Sequence, residues 1–396
     1  CQVCNFMIIL IFDTYLKICY NYIEVVREEF YMKLFFYGVL HTLISLTCIL
    51  FVAGSTGLNV SLAFLTVGLG TLVFHLLTKN KFAAIMGLSG SYIGGLVLVG
   101  SQYGVEYAAG GSVLAGIIYV LVGLLAKKYP KIIGSFPKYV LNTAVLLIAL
   151  NLLPVGVNLI AGHEIAAIII IAVALVSYVS KKLNAYTLPI ALIFGVLLAT
   201  VTGNLGTFTD FGTVSLVFPK FNFEAFALIG VVAIAVAFET MGDITNCGMA
   251  QGIETDEHDL ADALVANGAA SVVSGAIGGV PLTSYSENVG LIYATKYTNP
   301  WAQVVTALIY IVLAFVPAVS GVVGMIPSYV FGAVLIFLFG MIGISSVCKI
   351  GESNDKNPNT MIAMLVTFYA TPSTLFSPIA AAIIVGMIFH YITRER

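Results

Sequence analysis

The sequence predicts an all-α polytopic membrane protein with about fourteen transmembrane segments in two inverted repeats of seven, the third and tenth segments being short and broken. Composition is the first observation behind this. Hydrophobic residues make up 60% of the chain and charged residues 9%, with a mean hydropathy of +1.03, whereas a soluble domain carries about 25% charged residues. No water-facing surface can be built from that inventory. The second observation is a succession of apolar stretches near the length of about 20 residues that crosses the hydrocarbon core. The third is an internal echo at an offset of 195 between two Gly- and Ser-rich segments.

The segments run, in order, over 34–53, 59–78, 82–101, 107–126, 136–153, 163–180, 185–202, 223–247, 259–278, 280–295, 301–320, 325–343, 359–376 and 377–394. The closing pairs are crowded, so hydropathy alone also admits about twelve or thirteen crossings. Residues 1–31 look foreign to the rest. Their apolar run 6–12 is too short to span, and Met32-Lys33 before an immediate apolar stretch reads as a natural start. Residues 32–202 are then the first repeat, 203–222 an inter-repeat loop and 223–396 the second repeat.

Basic residues set the orientation, because cytoplasmic loops retain Lys and Arg. Both termini inside places Lys33, Lys79, Lys81, Lys127, Lys128, Lys131, Lys138, Lys181, Lys182, Lys296, Lys349, Lys356, Arg394 and Arg396 on the cytoplasmic side, and Lys220 outside. The protein is therefore expected in the plasma (cytoplasmic) membrane. A net charge of -2 without a large basic patch gives no sign of nucleic-acid binding. Six scattered cysteines do not form a disulfide framework, and the Cys1/Cys4 pair has no second half to complete a metal site. No cofactor or metal is expected.

Segment three carries Gly87-Leu88-Ser89-Gly90-Ser91-Tyr92, and segment ten carries Ser284-Tyr285-Ser286-Glu287-Asn288-Val289-Gly290. The offset pairs Ser89 with Ser284, Ser91 with Ser286 and Gly95 with Gly290, and also lays segment one onto segment eight. An odd number of spans per repeat inverts the second copy. Short Gly-interrupted segments at matching positions of inverted halves point to a transporter site, since non-helical backbone at membrane depth must be buried in protein or line a watery cavity. Short strands are conceivable at these breaks, although Gly and Ser alone also suit close helix packing.

Segment eight holds the second polar cluster, in which Glu239 and Asp243 follow an apolar stretch and, four residues apart, share one helix face. Two ionised carboxylates so placed repel each other, and taking up a proton relieves that repulsion. This is the arrangement a proton-coupled carrier needs, with the proton as coupling ion. Glu287, inside another apolar region, is functional by the same reasoning.

The run Glu287-Asn288-Val289-Gly290-Leu291-Ile292-Tyr293-Ala294-Thr295-Lys296 fits the signature of the nucleobase/ascorbate transporter family: Gln, Glu or Pro, then Asn, any residue, Gly, four free positions, Thr, and Arg, Lys or Gly. The chain also resembles that family in Glu239, Gly242 and Asp243, which match its eighth-span Glu-x-x-Gly-Asp element. The resemblance implies a core domain of spans one to four and eight to eleven, and a gate domain of spans five to seven and twelve to fourteen, often dimeric through the gate. It implies that Glu239 and Glu287 bind a base, that Ser286 and the region from Gly90 to Tyr92 line the site, and that His41 and Asn288 support it. Many members carry Gln-His in the first span where this chain has Leu40-His41, so the histidine alone carries over. Glu287 resembles the uracil permeases, whereas Asp243 resembles the purine and ascorbate branches.

With Glu239 and Glu287 in the site and no Lys or Arg assigned to the membrane segments, an anion would be repelled. A neutral planar base fits better: its ring N–H groups donate to carboxylates, its carbonyls accept from N–H groups at the breaks, and Tyr92 is placed to stack on its face. The expected activity is proton-coupled uptake of uracil or xanthine by alternating access. An anion transporter of the sulfate-permease type would share the fold. An intramembrane enzyme is a weaker alternative, because the sequence has neither a His-Glu-x-x-His nor a Gly-x-Ser-x-Gly element.

Overall fold

The computed structural model describes residues 2–129, 137–180, 183–208, 214–230, 232–371 and 378–394. Lys131, Lys181, Lys182 and Arg396, assigned above to the basic side, lie outside the described residues. The first half contains α1 (Gln2–Thr56), α2 (Val60–Leu77), β1 (Met86–Leu88), α3 (Ile93–Gln102), α4 (Val105–Lys128), α5 (Lys138–Leu159), α6 (Glu164–Val179) and α7 (Thr187–Val201). The second contains α8 (Val232–Gln251), α9 (Glu257–Ala276), β2 (Leu282–Ser284), α10 (Ser286–Thr295), α11 (Trp301–Ala314), α12 (Pro317–Gly324), α13 (Ser328–Glu352), α14 (Pro358–Ala370) and α15 (Pro378–Arg394).

Helices occupy the apolar segments and breaks occupy the Gly- and Ser-rich ones. Among the described residues, five helices are long and apolar enough to cross a bilayer, and shorter apolar helices include α6, α7 and α11. Two details differ from the hydropathy reading. α1 runs without a break across the boundary drawn at residue 31. The eleventh segment is divided, α11 ending at Ala314 and α12 starting at Pro317, because a proline has no N–H for the helical ladder and its ring clashes with the preceding turn.

Two groups of helices pack more closely within themselves than with each other. α1, α2, α4, α8, α9, α10 and α11 form one, tied most tightly through α4 with α9 and α2 with α11. α5, α6, α7, α13, α14 and α15 form the other, tied through α13 with α5 and α14 with α15. The α4/α9 crossing brings backbones into contact: a Cβ on Gly116 would lie 2.7 Å from the Gly268 carbonyl, and one on Gly268 2.7 Å from the Gly116 carbonyl. Glycine at both positions permits this approach, which drives association where lipid supplies no hydrophobic force. Outward faces carry exposed apolar side chains, such as Ile165, Val176 and Val179 of α6, the surface that acyl chains solvate.

Ion pairs fix which helix ends lie together. Lys81 reaches Asp259 and Lys127 reaches Asp262 at one end of α4 and α9, whereas Lys220 meets Glu106 at the other end of α4. Lys220 therefore stands apart from that basic end by the length of α4, 24 residues or about 36 Å.

The two strands meet in the middle of the first group. β1 and β2 pair antiparallel, Met86 opposite Ser284 and Leu88 opposite Leu282, and the pairing continues through Ser89 N–H to Pro281 O at 3.0 Å and Tyr285 N–H to Ile85 O at 3.1 Å. Three-residue strands leave other backbone groups to satisfy, and at membrane depth no water does so. Side-chain hydroxyls take that role: the Thr71 hydroxyl of α2 accepts from Met86 N–H (3.1 Å), and the Ser271 hydroxyl of α9 accepts from Leu282 N–H (3.0 Å). Gly87 is required here, because a Cβ would fall inside the ring of Tyr285, whose hydroxyl donates to Leu88 O at 3.0 Å.

Candidate functional site

Each strand ends at the wall of a cavity of about 480 Å³ between the two helix groups. Beyond β1, the turn Gly90–Tyr92 leads into α3; beyond β2, α10 begins at Ser286. No side chain caps the start of α10, and the leading N–H groups of a helix have no intrahelical acceptor. Ser91, Gly90, Ser286 and Glu287 all line the cavity, so both broken segments present their first turns to it.

α8 supplies the facing wall. Glu239 and Asp243, one turn apart, both line the cavity, but their surroundings differ. Asp243 is held by two hydroxyls of the facing break, Ser284 Oγ donating to Oδ2 at 3.0 Å and Ser286 Oγ to Oδ1 at 2.5 Å. Its carboxylate ties α8 to the start of α10. Glu239 accepts from Ser91 Oγ at 3.3 Å, and Glu287 accepts from Cys48 Sγ at 3.3 Å. Among the described residues each is met by a single side-chain donor and forms no ion pair, which leaves acceptor capacity for a ligand. Behind the strands, Thr240 of α8 hydrogen-bonds Thr283 at 3.2 Å and accepts from Asn267 Nδ2 at 3.1 Å, anchoring the helix that carries the carboxylates.

Of the residues singled out from sequence, Glu239, Asp243, Ser286, Glu287 and Gly90 converge on this cavity, and Tyr92, His41 and Asn288 do not line it. Tyr92 is fully buried, and its hydroxyl donates to the Tyr119 hydroxyl at 3.1 Å. That placement corrects the expectation that it stacks on a base; the aromatic side chains on the cavity wall include Phe51, Phe238 and Phe339 instead. Successive residues of the 3-10 turn at Gly90–Tyr92 point about 120° apart, so Ser91 lines the cavity while Tyr92 reaches Tyr119 of α4.

Asn288, on α10 but not on the cavity wall, meets His41 of α1. Asn288 Nδ2 donates to His41 Nδ1 and to His41 O, both at 3.0 Å, and the Gln303 amide meets His41 Nε2 at 3.0 Å. All three residues are buried. Since Nδ1 accepts from Asn288, the proton of a neutral imidazole sits on Nε2, and the amide orientation that satisfies it turns the Gln303 oxygen toward the ring. Through His41, α1 clamps α10 and ties it to α11.

Lining residues that the sequence does not single out for the site include Cys48 and Lys349. Lys349 places one cation on the cavity wall, where the sequence reading expects carboxylates without a Lys or Arg. The apolar run fades after residue 343, yet α13 continues to Glu352 and carries Lys349 along the cavity wall. Among the described residues no cluster of His, Cys, Asp and Glu is arranged to hold a metal ion.

Known proteins resemble this chain in sequence and in fold. The chain is 28% identical over 338 residues to a uracil permease of Paenibacillus larvae, covering 76% of this chain and 78% of that one. It is 25% identical over 308 residues to a xanthine permease of Bacillus subtilis, covering 70% of each. Its fold resembles that of the transmembrane domain of a cyanobacterium bicarbonate transporter, BicA, with a TM-score of 0.63 at 15% identity over 91% of this chain and 96% of that one. Residues 32–377 match the model of the Permease family, Xan_ur_permease. With that match spanning most of its length, the chain is an integral membrane protein that belongs to this permease family, the nucleobase/ascorbate transporter family whose signature it carries at 287–296.

Proposed function

We propose that this protein takes up a neutral nucleobase, uracil or xanthine, across the cytoplasmic membrane by alternating access coupled to proton entry. The observation that carries the reading is the placement of Glu239 and Glu287 on two helices facing one cavity, each met by a single side-chain donor among the described residues. A planar base set between them donates its ring N–H groups to both carboxylates, and its carbonyl oxygens accept from the first turns beyond the strands. Asp243, already engaged by two serines, serves coupling and the geometry of the break rather than contact with the base. Relatives named uracil permease and xanthine permease support the same substrate class.

In this reading the chain crosses the membrane about fourteen times as two inverted repeats, with both termini in the cytoplasm. The helix group around α1, α4, α8 and α10 is the core that holds the base, and the group around α5, α6 and α13 is the gate against which it moves. A homodimer would form through the gate group.

The bicarbonate transporter shares the fold, so fold alone leaves an anion carrier open. Three carboxylates and one lysine on the cavity wall favour a neutral ligand. Uptake of labelled uracil into proteoliposomes under an inward proton gradient, in competition with xanthine, hypoxanthine, guanine, urate and thymine, is the test. Saturable uptake of one base, collapsed by a protonophore, is expected; uptake of sulfate in its place would overturn the assignment.

A further inference from the structure

Lys349 stands where the two helix groups face each other across the cavity. It is exposed, on α13 of one group, three residues before that helix ends. The carboxylates that share its cavity belong to the other group: Glu239 and Asp243 on α8, and Glu287 on α10. Glu352, one turn further along α13, is the nearest acid on its own helix. Among the described residues Lys349 forms an ion pair with none of these.

The cavity has a direction. Phe51 and Phe339 pack edge to face with centroids 6.3 Å apart and are both buried, bridging α1 and α13 at one end. Lys349 lies ten residues beyond Phe339 on α13, or about 15 Å along the axis. Exposed Tyr178 and Asn184 line the cavity together with it. The mouth is thus at the lysine end and the aromatic pair closes the opposite end. Closing the mouth requires α13 and α8 to approach, which carries an unpaired cation toward two acids.

We propose that Lys349 is the latch of this mouth. Once base and proton have left to the water at the lysine end, the ammonium pairs with the freed carboxylates of Glu239 and Asp243, draws α13 onto α8 and favours the return of the empty carrier. With those acids protonated or occupied by base the attraction is weaker, so the latch acts on the empty, deprotonated protein. This rests on the proposed reading of proton-coupled base transport.

The role separates two kinds of turnover. Net uptake needs the empty carrier to return, whereas exchange of labelled for unlabelled base does not. Wild type, Lys349→Gln and Lys349→Arg are compared in proteoliposomes for gradient-driven net uptake and for exchange with the same base inside. Lys349→Gln is expected to lose net uptake by about fivefold or more, the scale of a partly exposed ion pair, with exchange near wild type. Lys349→Arg is expected to retain both. Equal loss of both activities in Lys349→Gln, unchanged net uptake in it, or failure of arginine to restore net uptake each overturns the latch. A wild-type protein that neither accumulates nor exchanges a base would instead overturn the transport reading.

Discussion

Asn288→Ala tests how the signature asparagine contributes from behind the cavity. The substitution removes two hydrogen bonds of 3.0 Å, to His41 Nδ1 and His41 O. His41 O keeps the Ser45 hydroxyl at 2.7 Å, so the ring nitrogen is the group left without a donor. An orphaned buried polar atom costs about 1–3 kcal/mol and the second lost bond about 1 kcal/mol. Against this, Asn288 Oδ1 has no hydrogen-bond partner among the described residues, and its removal returns part of that cost. The net destabilisation is about 2 kcal/mol. For a chain of 396 residues, with an unfolding entropy of about 2 cal/mol/K per residue, Tm should fall by only about 2–3 °C.

Transport should fall much further. Asn288 adjoins Glu287 in the first turn of α10, and a shift of about 1 Å in a ligand-positioning group can cost roughly a hundredfold in rate. The expected result is a folded protein, by thermal unfolding in detergent, with uptake reduced by about that factor. His41→Ala should behave alike, and the double variant should be little worse than either, because both break one clamp. Uptake within about twofold of wild type in Asn288→Ala would refute the argument that the clamp sets the position of Glu287.

Glu287→Gln should fold normally but bind uracil about tenfold or more weakly, since an amide offers one acceptor where the carboxylate offered two; isothermal titration against uracil and xanthine would also reveal a shift toward purines. Asp243→Asn leaves one of its two serines without an acceptor, and should exchange base without accumulating it; gradient-driven accumulation at wild-type levels would remove Asp243 from coupling. Tyr92→Phe should leave base affinity within about twofold, because its hydroxyl bonds Tyr119 rather than facing the cavity. In a cysteine-free background, single cysteines at positions 128 and 356 should react with membrane-impermeant reagents from the cytoplasmic side and one at 220 from outside; external labelling at 128 would reverse the orientation.

The carboxylates were legible in the chain because an acid inside an apolar segment is too costly to keep without a use. Glu239, Asp243 and Glu287 therefore announced themselves, and the shared Gly and Ser pattern located the two breaks. Composition and segment length likewise settled that this is a helical membrane protein. Local sequence could not say which acid is spoken for. Asp243 and Glu239 look alike on one helix face, and their difference arises from serines more than forty residues away, delivered by the strand pairing. Nor could it orient Tyr92, because a three-residue turn decides which of two neighbours meets the cavity. The place of Lys349 on the cavity wall is hidden for a related reason: hydropathy marks where an apolar run fades, while helix length and packing against α5 and α6 decide where a side chain ends up. Segment identity is written in transfer free energies, which are properties of single residues and sum along the chain. The site depends on directional hydrogen bonds between distant segments, and those directions exist only once the two strands have met.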